Sequence, residues 1–182
     1  MNSLAQDAIL LGLTRRLDEH GSWSGETHVQ KSAYVARETL HVPFDFEFIL
    51  YKHGPFSFEL RDELEDMRID GLLERVQQGP KYGPRLLVSS RGRELEARFP
   101  RIAERYEAAL DWIAGEIKDR GVIDLERLAT AFWVTHQLGK DSPIDERAKE
   151  LVKLKPHVPS AAATRSLEEA DRLLRDAPSL PA

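Results

Sequence analysis

Two short apolar runs, Leu72-Leu73-Glu74-Arg75-Val76 and Arg85-Leu86-Leu87-Val88, flank a segment from Gln77 to Pro84 that holds Gly79-Pro80 and Gly83-Pro84. Proline lacks an amide donor and glycine weakens regular structure, so neither a helix nor a central strand runs through such a segment. It reads as a β-hairpin with a long projecting loop. Helix-like stretches precede it. Ser3 to about Glu19 has a broad apolar face of Leu4, Ala8, Leu11 and their neighbours, broken by Gly21 to Gly25. Thr27 can cap a second helix with Val29, Ala33, Ala36 and Leu40 inward, ending before Pro43. Phe44 to Tyr51 alternates and reads as a short strand, with His53-Gly54-Pro55 as a turn. Ser57 caps a third helix to Asp70, burying Phe58, Leu60, Leu64 and Met67, and Gly71 stops it. Ser89 or Ser90 opens a further helix to Phe99. Three helices followed by a hairpin is the order of a winged helix.

Pro100 marks the clearest boundary, because proline suits the first turn of a new helix. Beyond it, Ile102, Tyr106, Ala109, Leu110, Ile113 and Ile117 recur at helical spacing, and Gly121 ends that helix. Asp124 is placed to cap the next. Ser142-Pro143 starts a segment from Ile144 to Leu154, and a last helix covers Ser160 to Asp176. The expected fold is mainly α with a small β-hairpin. A winged-helix-like part over residues 1–99 is followed by a C-terminal helical bundle over 100–176 packed on it, and 177–182 form a loose tail.

Absent chemistry narrows the function. The chain of 182 residues has no cysteine, which removes disulfides, thiolate nucleophiles and Cys-ligated metals. Its six histidines are scattered over different elements, so no metal is expected. In Gly21-Ser22-Trp23-Ser24-Gly25, Trp23 stands where a nucleophile elbow would hold its serine. No catalytic residues and no cofactor are expected, and an enzyme is disfavoured. No stretch reaches membrane-spanning length, the N-terminal charge order is not that of a signal peptide, and a cytoplasmic chain with no membrane partner is anticipated.

Charge separates the binding modes that are left. The total is −5, from 26 basic and 31 acidic residues. Between Ser57 and Glu74, two arginines face seven carboxylates, a net of −5; between Arg75 and Arg98, six basic residues face two acidic ones, a net of +4. A DNA-reading winged helix lays its third helix between rows of phosphates, and carboxylates there oppose counterion release. Glu59, Asp62, Glu63 and Asp66 are therefore candidates for a protein-contact face. Lys81, Tyr82, Arg85, Arg91 and Arg93 are candidates for contacting phosphates or an acidic partner through the wing. The alternative is that the arginines simply pair with neighbouring carboxylates. Adjacent faces of opposite sign also suit a homodimer.

One group of residues carries a resemblance. Gln30-Lys31-Ser32-Ala33-Tyr34, then Tyr51-Lys52-His53-Gly54-Pro55-Phe56-Ser57, then Gly71-Leu72-Leu73-Glu74 resemble the YwgA-like group of bacterial proteins. More distantly, they are similar to the Panacea domain of SocA-type antitoxins. Ser90-Arg91-Gly92 and Lys155-Pro156-His157 add to the likeness, which covers Val29 to Gly92 and fades beyond. In the turn, Tyr51, Gly54, Pro55 and Ser57 also have a structural reading, as turn, packing and cap. The resemblance implies a non-enzymatic regulator, adaptor or antitoxin-like protein that binds another protein, such as a toxin, a protease system or a defence component. A dimeric winged-helix transcription regulator, binding DNA through the basic wing, is the alternative.

Overall fold

The structure, a computed structural model, describes residues 3–77 and 83–180. Eight helices and two small hairpins follow one another among these residues. The helices are α1 (Ser3–Glu19), α2 (Glu26–Leu40), α3 (Phe58–Ile69), α4 (Ser90–Ala97), α5 (Pro100–Ile117), α6 (Val122–Leu138), α7 (Ile144–Leu154) and α8 (Ser160–Asp176). Strands β1 (Ile49–Tyr51) and β2 (Gly54–Phe56) pair antiparallel, as do β3 (Leu73–Val76) and β4 (Arg85–Val88), in two separate sheets. The mainly helical class and the β3–β4 hairpin agree with the sequence reading.

Helix ends follow local chemistry in several places. The Ser57 hydroxyl accepts from Leu60 N–H at 3.1 Å and the Ser89 hydroxyl from Gly92 N–H at 3.0 Å, each satisfying an amide that the helix cannot. Gly71, at φ 71°, turns the chain after α3. Elsewhere tertiary contacts decide. Helix α2 starts at Glu26 with Gly25 as its N-cap, ahead of Thr27. A side chain on Gly25 would stand 3.0 Å from Trp23 Nε1 and 3.1 Å from the Pro84 carbonyl, so the approach of β4 selects glycine there. Asp124 likewise lies inside the first turn of α6, where it pairs with Arg127, while Gly121 is the cap.

The segment expected as a strand from Phe44 is only partly one. Phe44, Phe46 and Phe48 are buried and Asp45 and Glu47 exposed, as the alternation requires, but strand pairing begins at Ile49. The turn then falls on Lys52-His53, with Gly54 and Pro55 inside β2.

One hydrophobic core runs across the Pro100 boundary. It joins Leu10, Leu13 and Leu17 of α1 and Tyr34 of α2 to Leu110 and Ile113 of α5, Phe132 of α6 and Leu167 of α8. Helix α1 packs most extensively on α5, where Arg16 pairs with Glu107 and Asp111, and Arg15 ties α1 to Glu96 of α4. Ala177 and Leu180, in the segment expected as a loose tail, lie partly buried against the same core.

Candidate functional site

The β1–β2 hairpin is held from below by two buried ammonium groups. Lys31, on α2 and 2% exposed, donates from Nζ to the Pro55 carbonyl at 2.6 Å. Lys155, just after α7, donates to the carbonyls of Lys52 at 2.6 Å and Tyr51 at 3.3 Å. Beside Lys31, the Gln30 amide donates to the Ser57 carbonyl at 2.8 Å and accepts from Ser57 N–H at 3.1 Å, as a neighbouring strand would. Gly54, at φ 85°, lies so close to α6 that a side chain would meet Thr130 Oγ1 at 2.9 Å and the Glu126 carbonyl at 3.2 Å.

Burying two cations requires compensation. Burial lowers the Lys31 pKa to about 8; Lys155 pushes the same way and Glu126 opposes. Burial also lowers that of Lys155, again against Glu126. Glu126, whose carboxylate lies 3.3 Å from His53 Nδ1, is thus the counter-charge to both lysines. The arrangement brings together Lys31, Tyr51, Gly54, Pro55, Ser57 and Lys155, from three distant stretches of sequence. Its chemistry is that of a rigid support, since each lysine Nζ is engaged with backbone oxygen.

The support presents an aromatic outer face. Tyr51, Phe56 and Phe58 lie with ring centroids 5.1–6.0 Å apart, edge-on or tilted, and the Arg61 guanidinium lies 5.1 Å from the Phe58 ring. Ile49, Tyr51 and Phe58 are exposed.

The acidic candidates on α3 divide. Glu59, Asp62 and Asp66 are exposed, with Glu59 accepting from Glu47 N–H at 2.8 Å and Asp62 paired to Arg61 at 2.7 Å. Glu63 is half-buried and turns to Asp7 of α1, which sequence reasoning passed over. Asp7 is 5% exposed, and its Oδ1 has no hydrogen-bond partner among the described residues. Burial, then the nearby Glu63 and Asp70, push its carboxyl up to about 7. The available signal was an acid directly before the apolar run from Ala8 to Leu13.

The basic candidates are less free than their count suggests. Arg85 is ion-paired to Asp18 of α1, and Arg75 lies 3.6 Å from Glu65. Arg93 donates to the Val88 carbonyl at 2.8 Å, and both it and Arg91 are exposed. Lys81 and Tyr82 lie outside the described residues. A cleft of about 610 Å³ separates the start of α2 from α3 and β4; its arginines, Arg61 and Arg75, are the ones already paired to Asp62 and Glu65. Among the described residues, no group of three or more His, Asp or Glu stands as metal ligands would, and no helix is long and apolar enough to cross a membrane.

Fold and site together define a mainly helical protein with a clamped aromatic hairpin beside an acidic helix. No protein-family model matches the chain, and no curated protein matches it.

Proposed function

We propose that the protein is a non-enzymatic interaction module, winged-helix-like in its N-terminal part with an appended helical bundle, that acts by binding another protein. Its role is that of an antitoxin-like neutraliser, adaptor or regulator in a bacterial toxin–antitoxin or defence setting, as the resemblance to the YwgA-like and Panacea groups implies. The observation that carries this reading is the surplus of carboxylates over arginines along α3, six against two from Phe58 to Asp70. Glu59, Asp62 and Asp66 are exposed along α3, while Arg75 and Arg85 are drawn to Glu65 and Asp18. A surface of that sign repels phosphate and suits a protein partner.

Co-expression with the product of the adjacent gene, followed by size exclusion, tests the reading. The expected result is one co-eluting complex. A chain that elutes alone, and instead shifts duplex DNA more strongly as salt falls until Arg91→Ala and Arg93→Ala remove the shift, overturns it in favour of the DNA-binding regulator.

A further inference from the structure

We propose that the outer face of the β1–β2 hairpin and the outward row of α3 form one docking surface, and that its occupant is a basic segment of another protein carrying two apolar anchors. This rests on the protein-binding reading and specifies its partner.

The surface has three parts. Phe58, Asp62, Asp66 and Ile69 follow at intervals of four, four and three residues, which places them along one side of α3. Phe58 is 40% and Ile69 68% exposed, so the row ends in an apolar residue on each side, with the two acids between. At 1.5 Å per residue the anchors stand roughly 16 Å apart. The hairpin widens the first anchor point: Tyr51, 54% exposed, lies edge-on to Phe58 at 5.5 Å, and Ile49 shares its side of β1. Single exposed apolar residues are ordinary, but exposed aromatics in contact beside charged groups mark interaction sites. The lysines beneath, bonded to the carbonyls of Tyr51, Lys52 and Pro55, hold this face in place before any partner arrives, which limits the ordering cost of binding.

Complementarity chooses the occupant. Arg61 pairs with Asp62 and Arg68 with Glu65, but six carboxylates stand against these two arginines from Phe58 to Asp70. The surface between the anchors therefore stays acidic and calls for apolar–basic–apolar. Anionic lipid and nucleic acid would both be repelled by Asp62 and Asp66. A second copy in two-fold contact through this face would set the acidic rows against each other.

The test uses the full chain with fluorescent peptides of about 16 residues built as amphipathic helices, one of Leu and Lys and one of Leu and Glu. Anisotropy titration should show the Leu/Lys peptide binding, with no binding of Leu/Glu. Asp62→Asn with Asp66→Asn should weaken it about tenfold, as should Tyr51→Ser with Phe58→Ser. Asp141→Asn with Asp145→Asn, exposed acids elsewhere, should leave it unchanged, with circular dichroism showing every variant folded. The proposal is overturned if the wild type ignores the Leu/Lys peptide, or if the surface variants bind it as tightly. Concentration-dependent self-association abolished by those variants overturns it in favour of a second copy. Peptide binding unaffected by the surface variants removes this surface but leaves the protein-binding reading. Salt-dependent duplex binding with both peptides inert removes both.

Discussion

Replacing Asp7 with asparagine removes one ionisable group from the second turn of α1, a helix whose Ile9, Leu10, Leu11 and Leu13 are also buried. In the folded protein burial raises the Asp7 carboxyl from 3.8 to about 7, with Glu63 and Asp70 adding to the effect. Between those values the native state keeps a proton that the unfolded chain has released, so stability falls as pH rises. The penalty is absent well below the unfolded value and complete above about 7. A shift of about three units, at 1.36 kcal/mol each, sets a ceiling of about 4 kcal/mol. Water reaching half-buried Glu63 and exposed Asp70 screens part of that, and about 2 kcal/mol is the expected penalty. Asparagine keeps the shape of the protonated carboxyl and cannot ionise. Urea titrations should therefore find Asp7→Asn more stable than wild type by about 2 kcal/mol at pH 8, a rise of about 4–8 °C in Tm. That gap should narrow by at least half on going to about pH 4.5. An equal gap at both pH values, or a variant less stable at pH 8, would refute the reasoning.

Other expectations follow from single contacts. Ser57→Ala should cost about 1 kcal/mol in urea unfolding, the worth of the hydroxyl that receives Leu60 N–H. Gly54→Ala should cost about 2 kcal/mol or more, because the positive φ and the approach to Thr130 both resist a side chain. Arg147, 3% exposed, donates to both Asp171 oxygens at 2.7 Å and to Thr135; Arg147→Ala should cost about 3 kcal/mol, and Arg147→Lys should restore little because a lysine cannot make the two-pronged contact. The Lys31 ammonium is penalised by folding below about pH 8 and released from that penalty as pH approaches the unfolded value of 10.5. Wild type should accordingly gain stability over Lys31→Met across that interval, measured by thermal melts.

What could be read from the residues was mostly local. Ser57, Ser89, Gly71 and Pro100 act through their own backbone or through amides three residues away, and the chain uses all four as expected. The errors share a different cause. Alternation from Phe44 to Phe48 reports which side is buried, but a ladder needs a partner strand, and none pairs before Ile49. Thr27 has the chemistry of a cap, yet the helix begins at Glu26 with Gly25 as its cap, a position where the distant Pro84 carbonyl leaves little room for a side chain. At the site, the motif residues from Tyr51 to Ser57 were visible as a group. Their two lysine supports were visible only by resemblance, and Glu126 carried no local signal at all. The pairing of Arg85 with Asp18 also escaped a reading that weighed charges by neighbouring segment.

The Lys155 contact with Tyr51 spans 104 positions of the chain. Contacts of such separation close late, because the intervening chain must be ordered before the bond is gained. The aromatic face and its Lys31 brace are specified early in the sequence, but the second brace comes only with the turn after α7. During synthesis, then, the nascent N-terminal half holds these rings on a hairpin tied to α2 alone, and the doubly braced form needs residue 155. A chain ending between α6 and α7 would keep every residue of that face and its Lys31 brace while losing the Lys155 one. Synthesis of Lys155 thereby times when the face reaches its final form.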